Sequence, residues 1–235
     1  MFAPRQLSAR LADKKILNEK FIQYFFELTD ATPLQFQAGQ YVSMAVSAEG
    51  DRRSYSICSE PSNTHGFELL VDISPNGLGV KYLQSLQFGD EVKAVAPLGK
   101  FVVNEEWLTQ PLQFVATGSG AAPFRSMILD LFQRQVTVPI TMYMGIRHES
   151  QMFWQDEWQE LAQKFSNFSF HPVVSQPLQE WPLCRGRVTD CLRNHAQPEN
   201  AHYFLCGNEP MLLDVMKLLH EQGLTDDKIH YEKFT

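Results

Sequence analysis

The sequence predicts an antiparallel β-barrel followed by an α/β domain with a parallel sheet, and two observations carry that prediction. From residue 7 to about 103, short β-prone segments alternate with turns, a spacing typical of a small antiparallel barrel. After about residue 107, buried-strand segments alternate with amphipathic helical segments, which is the pattern of a parallel sheet covered on both faces. The predicted domains are residues 1–106 and 107–235.

The first half contains five strand-like segments and one helical segment. The strand predictions are residues 15–17, 21–26, 41–44, 67–73 and 91–96. We expect Asn76 to cap the short helix, because Val80, Leu83 and Leu86 recur near helical spacing. A turn at residues 97–101 closes this half of the chain.

The second half repeats a strand-then-helix pattern. Its strand predictions are residues 112–116, 140–144, 168–174, 203–206 and 228–231. One helix follows residue 120, since Phe124, Met127 and Leu131 lie on one helical face and Pro123 suits a first helical turn. Two further helices are predicted at residues 154–161 and between Pro210 and Gly223.

The composition is that of a soluble globular protein. The chain has 235 residues and a net charge of −7, which argues against a nucleic-acid-binding surface. Residues 1–11 are polar and contain no apolar segment of a signal peptide, and no apolar run is long enough to span a bilayer. We therefore expect a cytoplasmic protein without membrane insertion. The sequence leaves the oligomeric state open and is consistent with a monomer.

The cysteines and histidines predict no metal site. The four cysteines contain no CxxC pair and do not match a zinc site or an iron–sulfur loop. They are Cys58, Cys184, Cys191 and Cys206. The histidines considered show no ligand spacing, and they are His65, His148, His171, His195 and His202. Any redox chemistry is therefore expected to use an organic cofactor.

Residues 53–56, Arg-Ser-Tyr-Ser, form a candidate flavin-binding strand. An Arg can bind a pyrophosphate through two hydrogen bonds, a Tyr ring can stack on a flavin, and a Ser hydroxyl can donate to a ring nitrogen. Alternation along a strand places Arg53 and Tyr55 on one side and Ser56 on the other, so we expect the strand to end or bend here. The alternative is an edge strand with an exposed Arg and a half-buried Tyr.

Residues 117–123, Thr-Gly-Ser-Gly-Ala-Ala-Pro, lie between a predicted strand and a predicted helix. Glycines there let backbone N–H groups approach a phosphate at the helix N-terminus. Pro123 replaces the third glycine of the usual dinucleotide motif, and Arg147 stands near the end of the second strand where that motif has an acid. An Arg favours a ribose 2′-phosphate. The alternative is a plain tight turn with a surface Arg.

Taken together, these segments resemble the ferredoxin–NADP reductase family of flavoenzymes. The resemblance covers nearly the whole chain and keeps the order of the motifs. The matching segments are Gly39–Tyr41, Arg53–Ser56, Pro97–Phe101, Thr117–Arg125, Cys206–Gly207 with Met211, and Glu232–Phe234. Each segment alone is a weak indication, whereas six in the right order indicate an FAD-dependent reductase with a barrel domain for FAD and an α/β domain for NADP(H) or NAD(H).

The resemblance implies roles for individual residues. Ser56, Cys206 and Glu232 are the implied catalytic residues, at the flavin ring, beside the nicotinamide, and in proton transfer or nicotinamide binding, respectively. Phe234 would cover the flavin face. The cofactor-binding residues, whether implied by the resemblance or predicted from the motifs above, are Arg53, Ser54, Tyr55, Ser56, Gly77, Gly79, Val80, Thr117, Gly118, Gly120, Pro123, Arg147, Arg187, Cys206 and Phe234.

Three departures from the family pattern bear on cofactor use. Val80 replaces a common Ser or Thr, and Asp72 stands near a position that is often basic, so both weaken the expected hold on FAD. Gln176 follows Ser175 where NADP-specific members place an Arg. Arg147 and Arg187 remain available for a 2′-phosphate, so NADPH is favoured only slightly over NADH.

The implied activity is hydride transfer from NAD(P)H to flavin and then electron transfer to an outside acceptor. That acceptor is a small acidic ferredoxin or flavodoxin, or an oxygenase component. Five basic residues near the N-terminus could bind an acidic partner or simply form a solvated surface, and they are Arg5, Arg10, Lys14, Lys15 and Lys20. The alternatives are a reductase of free flavin and an electron-transfer subunit of a larger complex.

Overall fold

The structure, a computed structural model, describes residues 2–195, 197–198 and 200–234. It divides into two compact units, Met1–Val103 with Ala122–Leu131, and Asn104–Ala121 with Phe132–Thr235. This division differs from a single cut near residue 106 because it assigns residues 122–131 to the first unit. Within the described residues, no helix is long and apolar enough to cross a membrane.

The first unit contains a six-stranded antiparallel sheet. Its strands are β1 (Arg5–Ile16), β2 (Phe21–Leu28), β3 (Tyr41–Ala45), β4 (Arg52–Ser56), β5 (Gly66–Asp72) and β6 (Glu91–Leu98). They are ordered β4-β3-β6-β1-β2-β5. A bridge between Ile57 and Leu69 links the chain after β4 to β5, so the sheet is nearly closed. The predicted barrel is therefore confirmed, although β1 begins ten residues earlier than predicted.

Alternation along the strands builds the barrel core. In β1, Leu7, Ala9 and Leu11 are buried while the residues between them are partly or fully exposed, as expected for a strand with one face in water. The rings of Phe26 and Phe67 stack across β2 and β5 with centroids 5.2 Å apart. The apolar faces of all six strands therefore meet in one core, together with one helix.

The segments Gly39–Tyr41 and Pro97–Phe101 contact each other in this unit. The Gln40 side chain is buried and donates a hydrogen bond of 3.0 Å to the Gly99 carbonyl. A Cβ atom on Gly39 would lie 2.1 Å from the Phe101 carbonyl oxygen, and one on Gly99 would lie 2.9 Å from the Tyr41 ring. Both glycines have positive φ, a conformation that favours glycine. These motifs therefore hold the start of β3 against the end of β6.

The helix of the first unit, α1 (Leu78–Ser85), begins one residue later than the predicted cap implies. Its N-cap is Gly77, not Asn76, and no side chain caps it. Asn76 instead adopts a φ of +48°, the left-handed conformation that Asn tolerates in turns. Val80 and Leu83 face the barrel core as predicted, with Leu86 just beyond the helix.

The second unit contains a parallel sheet. Its strands are β7 (Leu112–Thr117), β8 (Ile140–Ile146), β9 (Phe168–Val174), β10 (Cys184–Arg185), β11 (His202–Gly207) and β12 (Ile229–Lys233). They are ordered β10-β9-β8-β7-β11-β12, and each neighbouring pair is parallel. Its helices are α3 (Gln155–Lys164), α4 (Val188–Asn194) and α5 (Glu209–Glu221). The helix α2 (Ala121–Gln133) follows β7 in the chain, and most of its residues belong to the first unit.

Helices cover both faces of this sheet. On one face, Tyr143 and Leu205 join a core with residues of α4 and α5. On the other face, the Trp158 ring of α3 lies 6.0 Å from the Phe170 ring. The parallel sheet is confirmed, whereas β10 and α4 were not predicted. The short β10 offers too few residues for a recognisable period, and α4 spans only two turns.

Candidate cofactor-binding sites

The Arg-Ser-Tyr-Ser segment is strand β4, which ends at Ser56 as the sequence predicts. Ser56 is buried, Tyr55 is half-buried, and Arg53 and Ser54 are exposed. Arg53 and Tyr55 lie on the same side of the strand, because a Cβ atom on Gly79 would lie 2.2 Å from the Tyr55 hydroxyl and 2.9 Å from Arg53 Cγ. The strand therefore presents an Arg and an aromatic ring beside the start of α1.

The start of α1 offers unpaired backbone donors next to Arg53. The first N–H groups of a helix have no partner within the helix, and Gly77 provides no side-chain cap. A Cβ atom on Gly77 would meet nothing within 4 Å, so the approach to these N–H groups is open. A guanidinium beside a helix N-terminus is suited to an anionic group such as the pyrophosphate of FAD, and the residues present therefore fit that group.

Two features of the side chains near Arg53 and the start of α1 are compatible with flavin binding, and one departs from the family pattern. Burial raises the pKa of Tyr55 to about 12, against the opposing effect of Arg53, so the ring is a neutral phenol suited to stacking. Asp72 pairs with Lys20 at 3.5 Å, so its charge is balanced within the barrel. Val80 is buried against the core and offers no hydroxyl where the family often has one.

In the second unit, the glycine-rich segment passes extremely close to the end of β11. A Cβ atom on Gly120 would lie 2.2 Å from the Cys206 carbonyl oxygen and 2.9 Å from the Gly207 nitrogen. One on Gly207 would lie 2.3 Å from Thr117 Oγ1. Gly118–Gly120 forms a single 3₁₀ turn in which Gly118 has a φ of +54°. Glycine at these positions is therefore required by main-chain packing.

A buried polar atom without a partner marks this loop. The hydroxyl oxygen of Thr117 is buried and has no hydrogen-bond partner among the described residues, an arrangement that is unusual in proteins and needs an explanation. It lies at the carboxyl end of β7, the edge where open α/β sheets bind nucleotides. The loop therefore has the position and the main-chain geometry that suit a nicotinamide dinucleotide. Pro123 lies in the first turn of α2, as predicted.

Cys206, Glu232 and Phe234 meet at the same edge. Cys206 is opposite Glu232 in the β11–β12 register, and the Phe234 N–H donates a hydrogen bond of 3.0 Å to the Gly207 carbonyl. Burial raises the pKa of the Cys206 thiol well above its usual value, and the Glu232 carboxylate raises it further. Cys206 is therefore a neutral thiol and not a nucleophile.

The two arginines predicted for a 2′-phosphate are both exposed and both hydrogen-bonded within the protein. Arg147 Nε donates to Gln176 Oε1 at 2.9 Å. Gln176, which stands where NADP-specific members place an Arg, therefore orients Arg147. Arg187 forms an ion pair of 2.7 Å with Asp214. Arg187 must therefore exchange this partner to bind a phosphate, whereas Arg147 retains its terminal nitrogens for a ligand.

The structure also brings together residues that sequence reasoning missed. Arg125 binds the Glu68 carboxylate at 2.9 Å and the Cys58 carbonyl at 2.8 Å inside the first unit. Cys184 and Cys191 are joined by a disulfide. The ligand atoms of those two cysteines, His171 and His195 lie within 4.8 Å of one another, although the sequence predicts no metal site. Their spacing in the sequence matches no common motif, so only the fold reveals the cluster.

Comparisons with known proteins agree with this architecture. The family described as oxidoreductase FAD-binding domain matches residues 8–103, and the family described as oxidoreductase NAD-binding domain matches residues 114–217. The anthranilate 1,2-dioxygenase electron transfer component of Acinetobacter baylyi is 30% identical over 203 residues, which are 86% of this chain. This chain spans only 59% of the length of that relative.

Solved structures give the same result. The Amycolatopsis cytochrome P450 reductase GcoB is 26% identical with a TM-score of 0.90, over 99% of this chain and 70% of that one. A ferredoxin NADP+ reductase from Neisseria gonorrhoeae, solved with bound FAD and NADP, has a TM-score of 0.84 over 97% of this chain and 98% of that one. Its identity of 20% shows the shared fold alone. The chain therefore belongs to the ferredoxin–NADP reductase family of flavoprotein oxidoreductases, whose cofactors are FAD and a nicotinamide dinucleotide.

Proposed function

We propose that this protein is an FAD-dependent NAD(P)H oxidoreductase that moves hydride from NAD(P)H, with NADPH slightly favoured, to bound flavin and passes electrons to a protein acceptor. The observation that carries the proposal is the convergence of Arg53, Tyr55 and the uncapped start of α1, since a helix N-terminus beside an Arg suits the FAD pyrophosphate. When bound, the two cofactors supply the hydride chemistry, and the protein supplies orientation and hydrogen bonds.

Each half of the protein contributes defined groups to that task. In the barrel, Arg53 and the N–H groups after Gly77 bind the pyrophosphate, Ser54 adds a polar contact on the exposed strand, and the Ser56 hydroxyl donates toward the flavin ring. Tyr55 stacks on the ring as a neutral phenol. Arg53, Ser54, Tyr55 and Ser56 lie together on β4, and Gly77 is the N-cap of α1.

In the α/β unit, main-chain groups bind the nicotinamide dinucleotide. Thr117 and the N–H groups of Gly118 and Gly120 contact its phosphates or ribose, and Cys206 packs beside the nicotinamide without taking a charge. Glu232 exchanges protons or binds the nicotinamide amide, and Phe234 covers the flavin face until the nicotinamide enters. The hydrogen bond from the Phe234 N–H to the Gly207 carbonyl holds the C-terminal segment beside Cys206.

The acceptor is an oxygenase component, or a small acidic ferredoxin or flavodoxin. The relative from Acinetobacter is named as the electron transfer component of a dioxygenase, which favours this class of partner. The basic N-terminal residues give less support for an acidic protein partner than the sequence implies. Arg5 pairs with Asp30 at 3.2 Å and Lys20 pairs with Asp72, so two of these charges are balanced within the barrel.

Reduction of free flavin is the second candidate function. It is favoured by Val80, which places a buried apolar side chain where a hydroxyl would otherwise add a bond to the FAD pyrophosphate. The visible absorption spectrum of the purified protein separates the two functions. A yellow protein that bleaches with NADPH under anaerobic conditions supports the bound-FAD reductase. A colourless protein that oxidises NADPH only when flavin is added supports the free-flavin reductase.

Ser56 provides a direct test of the flavin site. Removing one preorganised donor costs about 10²–10³-fold in rate in well-studied enzymes. We therefore expect Ser56→Ala to slow anaerobic flavin reduction by NADPH about 10²-fold while FAD remains bound. Ser85→Ala is the matched control, because the Ser85 hydroxyl donates only to the Tyr82 carbonyl among the bonds described. Equal stopped-flow rates in the two variants would remove Ser56 from the mechanism.

Arg147 tests the choice of nicotinamide cofactor. Loss of a charge-assisted contact costs about 1.5–3 kcal/mol, so Arg147→Ala should lower the ratio of kcat/KM for NADPH to that for NADH by about tenfold or more. The NADH value should stay constant, because the lost partner is the 2′-phosphate. Arg134→Ala is the control, since Arg134 pairs with Glu105. If the ratio of the two kcat/KM values is unchanged in Arg147→Ala, a residue other than Arg147 binds the 2′-phosphate.

A further inference from the structure

A cluster of two histidines and two cysteines lies at the β10 edge of the parallel sheet. His171 is on β9, Cys184 is on β10, Cys191 is on α4, and His195 is the C-cap of α4. Their four ligand atoms lie within 4.8 Å of one another. We propose that, when the two cysteines are reduced, these side chains bind one Zn²⁺ ion.

The donor set and its dimensions fit zinc. Two thiolate sulfurs and two imidazole nitrogens are a common ligand set of structural zinc sites, with Zn–S near 2.3 Å and Zn–N near 2.0–2.1 Å. In a tetrahedron these bond lengths place neighbouring ligand atoms roughly 3.3–3.8 Å apart. His195 Nδ1 already lies 3.7 Å from Cys191 Sγ. Two thiolates also balance the charge of the ion, which favours binding at a partly buried position.

The fold orients the ligands before any ion enters. Cys191 and His195 are four residues apart, so they project from the same side of the α4 turn. His195 Nδ1 is also 2.8 Å from the Cys191 carbonyl oxygen, so the ring is held beside the Cys191 side chain, and coordination through Nδ1 would replace that hydrogen bond. The His171 ring stacks on the buried Tyr143 ring with centroids 4.9 Å apart. These contacts hold both imidazole rings at the cluster.

The site is accessible from solvent. Cys191 is buried, whereas His171, Cys184 and His195 are partly exposed, so an ion can enter past Cys184. The ligands come from one stretch of 25 residues, with 12, 6 and 3 residues between successive ligands. The same stretch contains Arg187. A bound ion would therefore tie β9, β10 and α4 together around the segment that carries this Arg.

The disulfide defines the second state of the cluster. Its reduction by an external dithiol or phosphine takes two electrons and two protons and gives two thiols. Binding of Zn²⁺ then displaces the two thiol protons and forms two Zn–S bonds. Oxidation of the two thiolates reforms the S–S bond, delivers two electrons to the oxidant and releases the ion. The disulfide of Cys184 and Cys191 and the zinc site are therefore mutually exclusive, and the thiol redox state selects between them.

Cobalt spectroscopy tests the proposal without any assay of electron transfer. The purified protein is reduced with a phosphine, and Co²⁺ is added anaerobically. We expect one Co²⁺ per chain, with thiolate charge-transfer absorption and the intense red-region bands of a four-coordinate ion, and displacement of that ion by Zn²⁺. The oxidised protein should bind neither ion at this site. Absence of these bands in the reduced protein would overturn the proposal, and so would equal binding by the oxidised protein.

Two variants locate the site. His171→Gln keeps both cysteines and can still form the disulfide, so its loss of the cobalt bands identifies a metal ligand rather than a thiol effect. Cys184→Ser removes the exposed sulfur. Both should weaken Zn²⁺ binding by at least the 10–100-fold that is typical even of outer-shell changes. His220→Gln is the control, because His220 pairs with Asp226 outside the cluster. Retained bands in His171→Gln, in a protein with unchanged circular dichroism, would refute the assignment.

Discussion

The two halves of the protein build their cofactor sites in different ways. In the barrel, the side chains of Arg53 and Tyr55 on the short strand β4 lie beside Gly79 in α1. In the α/β unit, the glycine-rich segment packs against main chain, and Gly120 touches the Cys206 carbonyl from a segment more than eighty residues away. The first site can lose a ligand contact without losing its fold, whereas the second cannot change shape without disturbing the sheet.

Substitution of single glycines is expected to give the largest difference in stability between the two halves. In Gly120→Ala, the new Cβ would meet main-chain atoms that cannot move without shifting β11, so we expect a loss of about 3 kcal/mol in the free energy of unfolding together with weaker NADP(H) binding. In Gly79→Ala, the Cβ would meet side-chain atoms and no main chain among the three nearest atoms, with the Tyr55 hydroxyl at 2.2 Å and Arg53 Cγ at 2.9 Å. Stability should then change by less than about 1 kcal/mol, because Ala favours the helix, while FAD binding weakens.

Urea unfolding followed by circular dichroism measures this contrast. Gly77→Ala is the control for stability, because its φ is −75° and a Cβ there would meet nothing within 4 Å. Equal losses of stability in Gly120→Ala and Gly79→Ala would contradict the distinction between a main-chain site and a side-chain site.

Arg53 tests the barrel site at the level of one side chain. Its described hydrogen bond is to the neighbouring Arg52 carbonyl at 2.8 Å, so its removal should leave the urea midpoint unchanged. Loss of a charged contact to the pyrophosphate costs about 1.5–3 kcal/mol, so FAD should bind about 10–100-fold more weakly. Fluorescence titration of the apoprotein measures the Kd. Arg52→Ala is the matched control, because Arg52 bonds to Ser43 on the next strand, and an equal effect in both would indicate general charge attraction.

Acidification is expected to have the smallest effect and to act on the α/β unit. His202 is buried beside Trp107 and contacts His230 at 3.0 Å. Burial, together with the nearby charges of Lys228 and His230, lowers the pKa of His202 to about 4. Burial also lowers the pKa of His230. The folded protein keeps these rings neutral, whereas the unfolded chain protonates them near pH 6.5. The free energy of unfolding is therefore highest above that pH and decreases as the pH falls from about 6.5 to 4.

At pH 5, the loss attributable to His202 should be on the order of 1 kcal/mol relative to pH 7.5. Urea midpoints measured at both values provide the test. His202→Gln should reduce the dependence on pH, since Gln does not titrate. The barrel segment before residue 104 contains only His65, so His65→Gln is the control and should leave the slope as it is. If the urea midpoint of His202→Gln depends on pH as strongly as that of the unsubstituted protein, another group causes the acid sensitivity.

The order of the domains, most strands and helices, and the position of the β4 motif could be predicted from the sequence. These features depend on residues that are close together in the chain. Alternation predicts that Arg53 and Tyr55 share a side, because the period of a strand is local. The glycine-rich segment is also recognisable locally, because it lies between a buried strand and an amphipathic helix. The cap of α1 was missed at Asn76, since Asn favours turns as well as caps.

Tertiary structure alone decided which distant groups meet. Arg125 pairs with Glu68 across 57 residues, Gly120 approaches the Cys206 carbonyl, and His171 lies near Cys191 because β9, β10 and α4 adjoin. No local pattern encodes these contacts, since each depends on strand order and register. The sequence by itself determined a barrel, a parallel sheet and the main cofactor motifs, because periodicity acts over a few residues. The raised pKa values of Cys206 and Tyr55 and the His–Cys cluster depend on burial and proximity, which arise only when the chain is folded.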